Sequence, residues 1–389
     1  MLDIKTCNHT FNHVAQINKE GYVVPCCHYT FGYSPEWDKF NVANLDSLDK
    51  ILTSDHWQNI RQEIKTGSNK SCSSCWNRER AGGHSKRMWA NDKPVNSKYV
   101  IEDLEIALDT TCNMMCRICR PSQSSKWASA TDVLEKLDKL LPHGSQYNQQ
   151  GHNTNHRNDL MRVLNNTDLS HVTRIRIVGG EPFYSKNLLP LLERLDEQAG
   201  IENIELGFST NGSIFPNNKI LDILSRAKDL NIDLSIDGIG DLASVTRHGI
   251  EWNIINSNIQ KFISYFGNSK IAIHSTISLL NVNRIQELYD YAYNLQLRSW
   301  TWTFLTGPEY LCVYQIPTEI RKKWQIKINK NWRGSSYNKE LMSPIEAKEM
   351  FDLFLQATSI LDTHQGQSFK SVNGKMYKLI KAMREENYA

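Results

Sequence analysis

No part of this chain is apolar for long enough to cross a bilayer as a helix. Nothing approaches the roughly 18 consecutive apolar residues that a span requires, and the N-terminus, MLDIKTCNHTF, lacks the apolar core of a secretory signal. An excess of one charge is missing too. The 45 basic and 42 acidic residues leave a formal charge of +3, spread along the chain, so no polyanionic partner is demanded and nucleic acid is not implied. No internal repeat is evident. These absences predict a soluble, cytoplasmic protein with no membrane partner. What is present is ordinary: 389 residues with 40% hydrophobic content, enough for one large domain and a smaller one.

Nine cysteines without an export signal argue against a disulfide scaffold and toward metal or redox chemistry. Their placement matters more than their number. Cys7, Cys26, Cys27, Cys72 and Cys75 precede a tight triplet, Cys112, Cys116 and Cys119, while Cys312 stands alone. Two metal sites are the natural first hypothesis.

From about 101 to 308, short apolar strands alternate with amphipathic helical patterns, the signature of βα units on a parallel sheet. Strands are predicted at 104–110, 174–180, 204–211, 232–237, 271–278 and 299–306. Six βα units are too few for a closed eight-stranded barrel, so the expected fold class is α/β, a partial (β/α)6 TIM-like barrel. The polar stretch 142–159, with His143, His152 and His156, reads as a surface loop. After 310 the pattern turns helical, in SPIEAKEMFDLFLQATSILD and KMYKLIKAMREENYA.

In DTTCNMMCRICRPS the cysteines are separated by three and then two residues. Such spacing lets one loop present three thiolates to a cubane iron-sulfur cluster, and with no fourth cysteine nearby one iron is left open. The loop follows the first strand, at the catalytic end of a βα barrel. Three cysteines with a histidine could also bind zinc, and GGEP (179–182) alone could be a turn.

The triplet resembles the signature of the radical S-adenosylmethionine (SAM) superfamily, and GGEP, STNG (209–212) and SIDG (235–238) match that family in order and position. The resemblance implies a SAM-binding 4Fe-4S cluster on Cys112, Cys116 and Cys119. Gly179, Gly180 and Glu181 would then meet the methionine ammonium, while Ser209, Asn211, Ser235 and Asp237 meet the ribose and methionine parts of SAM. Arg247 would meet the SAM carboxylate; a solvated arginine is the competing reading. Ile118 departs from the family, which usually has an aromatic residue there. The implied activity is reductive cleavage of SAM to a 5'-deoxyadenosyl radical that abstracts hydrogen from a substrate C–H bond.

Ahead of the barrel, Cys7, Cys26 and the pair in SCSSCW, Cys72 and Cys75, supply four thiols, enough to close a second cubane. Cys26 and Cys27 are adjacent, and on an extended chain they would face opposite ways. The pattern resembles the twitch domain, a shortened SPASM domain with an auxiliary 4Fe-4S cluster, here placed N-terminal to the barrel as in one family of radical SAM proteins. A structural zinc site on the same thiols, or a mixed site with His9, His13 or His28, remains the alternative. The expected division is an iron-sulfur domain at 1–98, the barrel at 99–309 and a helical extension at 310–389.

Cys312, after the sixth strand, could donate hydrogen to a substrate radical or be a buried small residue. In SWTWTF, Trp300, Trp302 and Phe304 share one face and read as core. The expected partners are a substrate peptide, protein side chain or small molecule and an electron donor such as flavodoxin or ferredoxin. The other functional class is a noncatalytic iron-sulfur or zinc protein for electron transfer or assembly.

Overall fold

Alternation of apolar and polar residues, as in RIRIV and DLNIDLS, becomes strand at all six expected places. The computed structural model describes residues 6–16, 21–30, 35–80, 84–92, 98–140, 156–329, 332, 336–345 and 347–386. In chain order its strands are β1 (His13–Gln16), β2 (Val23–Val24), β3 (Asp103–Ala107), β4 (Met115–Cys116), β5 (Arg174–Val178), β6 (Glu205–Thr210), β7 (Asp229–Ser235), β8 (Arg247–His248), β9 (Ile271–Ile277) and β10 (Ser299–Phe304). The chain divides into two compact units: Met1–Thr110 with Asn153–Phe208 and Pro216–Leu230, and Thr111–His152 with Ser209–Phe215 and Asn231–Ala389.

In the first unit the strand order is β2-β1-β3-β5-β6. β1 is antiparallel to β2 and parallel to β3, and β3, β5 and β6 run parallel. One face of β3, β5 and β6 carries Leu104, Ile106, Ile175, Ile177, Leu206 and Phe208, all sealed from solvent. The opposite face carries Asp103, Glu105, Arg174, Arg176 and Glu205. Parallel sheets covered by apolar layers on both sides read as continuous hydrophobic runs; this alternation instead gives the sheet one polar face. The helix Leu188–Ala199 buries Leu188, Leu191, Leu192 and Leu195, an i, i+3, i+4, i+7 stripe. Nearer the N-terminus the helix Asp55–Thr66 starts on a Ser54 cap and stops at Gly67, whose φ of 75° is left-handed.

The second unit holds the parallel strands β7-β9-β10 and the antiparallel two-residue ribbon of β4 and β8. On β10, Trp300, Trp302 and Phe304 pack on the Tyr337 ring at centroid distances of 5.3, 5.5 and 5.5 Å, so they are core. Thr301 and Thr303 point the other way and meet His274. The sheet stays open, and the architecture is the expected α/β partial barrel.

One detail differs from the sequence reading. Of the loop at 142–159, residues 142–155 lie outside the described residues, and the last four belong to the helix His156–Asn165. Strand β1 pairs with β3, which places the N-terminal segment with the first barrel strands. The helix Phe351–Gln365 packs on Thr131–Leu140, which places the C-terminal segment with the helix that follows the cysteine loop.

Candidate functional site

The triplet loop in the second unit is fixed by contacts to its own backbone. Ser124 Oγ donates to the Met114 carbonyl at 2.6 Å, and Trp127, fully buried, donates its indole N–H to the Cys116 carbonyl at 3.1 Å. The Cys112 N–H donates to Ser125 Oγ at 3.1 Å and the Cys119 N–H to the Cys116 carbonyl at 3.0 Å. Gly249 abuts this loop with φ of 135°; a Cβ there would lie 2.9 Å from the Asn113 carbonyl oxygen. Beneath the loop, Arg117 is sealed from solvent and donates to Asp362 at 2.6 Å and to Gln365 at 3.1 Å.

The three thiols converge. Cys116 and Cys119 hydrogen bond to each other, and the charge of Cys112 bears on Cys119. Cys116 is the cross-strand partner of Arg247. Arg247 Nε lies 2.7 Å from Asp237 Oδ2. Burial would lower the guanidinium pKa, but Asp237 and the thiols of Cys116 and Cys119 raise it, so Arg247 stays cationic beside the sulfurs. It is therefore no solvated surface arginine.

STNG joins the same cluster. Asn211 Nδ2 donates to Asn113 Oδ1 at 3.0 Å and lies 3.9 Å from Cys112 Sγ, while Asn113 Nδ2 donates to Ser213 Oγ at 2.8 Å. Asp237 accepts from the Thr276 N–H at 2.7 Å, and its carbonyl accepts from Asn281 at 2.9 Å. Ser209 and Ser235 are half-buried at strand ends. Sequence reasoning missed Asn113, although its place between two of the cysteines could have flagged it. Cys312 is buried between two one-turn helices, with Glu309 and Arg321 as its charged neighbours, and burial raises its thiol.

GGEP lies in the first unit. Gly179 has φ of 136°, and a Cβ there would stand 2.6 Å from the Asp109 carbonyl oxygen, which also accepts the Gly180 N–H at 2.7 Å. Only glycine allows that approach. Glu181 is buried, and its Oε1 accepts the Phe183 N–H at 3.1 Å, capping the turn Pro182–Tyr184.

The auxiliary cysteines also gather in the first unit. Cys7, Cys26 and Cys75 are buried and Cys72 is half-buried. The negative charge of Cys72 and Cys75 bears on Cys7, that of Cys7 on Cys26, and that of Cys26 and Cys75 on Cys72. Burial first, and this mutual repulsion after it, pushes Cys7 and Cys72 up to about 12 and raises Cys26. Three buried thiols and one half-buried thiol form a donor set suited to a cationic centre. Their scaffold is specific: Asn69 Oδ1 accepts the Cys72 N–H at 3.1 Å, and Arg87, paired with Glu79, donates to the Thr6 carbonyl at 2.8 Å and covers the Trp76 ring.

Cys27 turns elsewhere. It accepts from Lys86 Nζ, which also meets Glu105 Oε2 at 3.0 Å. His9 and His13 stand with Asp103, and His28 is exposed. Lys86, Glu105 and Asp103 carried no local signal in the sequence.

Residues 108–292 match the family described as the Radical SAM superfamily, and residues 7–76 match SPASM, an iron-sulfur cluster-binding domain. Among curated proteins, the chain is 24% identical over 191 residues to molybdenum cofactor biosynthesis protein 1 of Dictyostelium discoideum, covering 47% of this chain and 26% of that protein. It is 28% identical over 153 residues to GTP 3',8-cyclase of Thermodesulfovibrio yellowstonii, covering 39% of this chain and 40% of that one. The chain thus spans less than half the length of either relative. Among solved structures, Streptococcus suis SuiB bound to precursor peptide SuiA is similar at 17% identity and a TM-score of 0.33, covering 51% of this chain and 38% of that one. Similarity at that level carries no weight for fold or function. Among the described residues no helix is long and apolar enough to cross a membrane.

Proposed function

We propose that this chain, whose residues 108–292 match the Radical SAM superfamily and residues 7–76 an iron-sulfur cluster-binding domain, reductively cleaves SAM and abstracts hydrogen from a polar substrate. Cys112, Cys116 and Cys119 would hold the SAM-binding 4Fe-4S cluster, and Cys7, Cys26, Cys72 and Cys75 the auxiliary one. When bound, the cluster and SAM supply one-electron cleavage of the sulfonium and a 5'-deoxyadenosyl radical that takes the hydrogen atom.

The chain's own residues orient and hold charge. Glu181 is assigned to the SAM ammonium, with Gly179 and Gly180 letting the backbone approach. Arg247 is assigned to the SAM carboxylate; its Nε is engaged by Asp237, which leaves its other nitrogens for a bidentate contact. Ser209, Asn211, Ser235 and Asp237 are assigned to the ribose and methionine parts. The observation that carries this reading is the convergence of three thiols with the buried Arg247 and the Asn211–Asn113 pair in one unit.

A polar substrate is favoured by the strand face that carries Asp103, Glu105, Arg174, Arg176 and Glu205. Both a peptide and a small metabolite fit that chemistry. The name GTP 3',8-cyclase borne by relatives favours the small molecule, and a low-potential donor of the flavodoxin or ferredoxin type would supply the electron. We assign the auxiliary cluster to 1–98, SAM chemistry to 99–309 and support of the cysteine loop to 310–389.

Anaerobic reconstitution should give about eight irons and eight sulfides per chain. Reduction in the presence of SAM should then release 5'-deoxyadenosine. Full iron loading without that product would overturn the enzymatic reading.

A further inference from the structure

Among the described residues, and outside the cysteines, one group of metal-ligating side chains is buried together in the first unit: His9, His13 and Asp103. A ligand atom from each lies within 4.8 Å of the other two. The fold brings them there by two routes. His13 and Asp103 open β1 and β3 and are register partners in that parallel pair. His9 heads the turn His9–Asn12 just before β1, and its ring stands 4.4 Å from the His13 ring, centroid to centroid.

His13 is the informative member. It is 2% exposed; its Nδ1 lies 3.0 Å from Asp103 Oδ2, and its Nε2 is buried without a hydrogen-bond partner. Burying that nitrogen unsatisfied is costly. The Nδ1–Oδ2 separation is close to the roughly 3.3 Å that tetrahedral zinc with bonds of about 2.0 Å sets between its ligand atoms. Arg174 also meets the Asp103 carboxylate. That contact holds the carboxylate in place, as outer-sphere partners of metal ligands do.

We propose that His9, His13 and Asp103 bind a divalent transition-metal ion, zinc in the first instance, at a site separate from both cysteine sets. Two imidazoles and a carboxylate form a borderline donor set, unlike the soft thiols of Cys7, Cys26, Cys72 and Cys75. Such an ion pins β1 to β3, so that the N-terminal segment is tied to the first strand of the barrel. The assignment does not depend on SAM cleavage.

The test uses the full chain with its clusters reconstituted, dialysed against zinc chloride and then against a weak chelator. Elemental analysis should find about one zinc per chain beyond the iron, and absorption at the zinc edge should show only nitrogen and oxygen neighbours, without the sulfur shell at about 2.3 Å. His13→Gln and Asp103→Asn should each lose zinc affinity by roughly tenfold or more, with iron content unchanged, whereas Cys75→Ala should lose iron and keep zinc. Sulfur at the zinc edge, no retained zinc, or full retention by His13→Gln would each overturn the site. Because the edge spectrum is read on the unaltered protein, it decides even if the variants fail to fold.

Discussion

Cys26 and Cys27 part company at a turn: β2 ends at Val24, and the Tyr29 N–H donates to the Cys26 carbonyl at 3.0 Å. Strand alternation would have set them on opposite faces, whereas a turn separates them here. Cys26 shares its surroundings with Cys7 and Cys72, while Cys27 accepts from Lys86. Under the proposed ligand set, Cys26→Ala should drop reconstituted iron from about eight per chain to about four, and Cys27→Ala should leave it unchanged; equal losses from both would refute the division. A second residue-scale prediction concerns Glu79, whose burial opposes ionisation while Arg87 and Ser85 hold its carboxyl below the usual range. A depressed carboxyl contributes stability that is present above the unfolded value, near 4.3, and is lost as pH falls through the folded value. Glu79→Gln leaves Arg87 buried without its counter-charge, so it should cost about 3 kcal/mol at pH 7, and the gap from the parent should close in denaturation curves recorded well below pH 4. The triplet, Glu181 and the auxiliary thiols were legible because cysteine spacing and glycine runs are local. Lys86, Glu105 and Asp103 were not, because their chemistry exists only once distant segments meet.

At the scale of elements, the ribbon of β4 and β8 is only two residues wide, yet it sets Cys116 against Arg247 and Met115 against His248. Its close approach depends on Gly249, whose positive φ and lack of a Cβ let the following chain lie on the Asn113 carbonyl. Gly249→Ala should therefore displace the triplet loop. The expected result is loss of about four irons per chain together with 5'-deoxyadenosine formation, while the auxiliary iron stays; normal iron and activity would show that the loop tolerates the shift. The six strands and most helices were legible because period-2 and period-3.6 burial is written into each segment. Chemistry punctuates the ends of the helix Asp55–Thr66, with the Ser54 side chain capping one and left-handed Gly67 closing the other. The pairing of β1 with β3 was not, since a parallel partner far along the chain leaves no mark on HVAQ itself. Nor was the packing of Phe351–Gln365 on Thr131–Leu140, which joins two amphipathic faces that each look complete in isolation.

At the scale of the molecule, the two cysteine sets fall in different compact units: Cys7, Cys26, Cys72 and Cys75 in the first, Cys112, Cys116 and Cys119 in the second. Each set is fixed by contacts within its own unit, the first through Asn69 and Arg87, the second through Ser124, Trp127 and the Arg247 ribbon. Replacing all three triplet cysteines by alanine should leave about four irons per chain and no SAM cleavage, whereas replacing all four auxiliary cysteines should leave about four irons of the SAM-binding kind. The second variant discriminates further. If the auxiliary cluster serves the substrate or the electron path, cleavage of SAM by a strong chemical reductant should persist while substrate turnover falls. Electron paramagnetic resonance of the reduced variants reads this directly, because addition of SAM should shift the signal of the auxiliary-free protein and leave that of the triplet-free protein unmoved. A SAM-induced shift in the triplet-free protein would mean that SAM binds at the N-terminal thiols, and the assignment of the two sets would have to be exchanged.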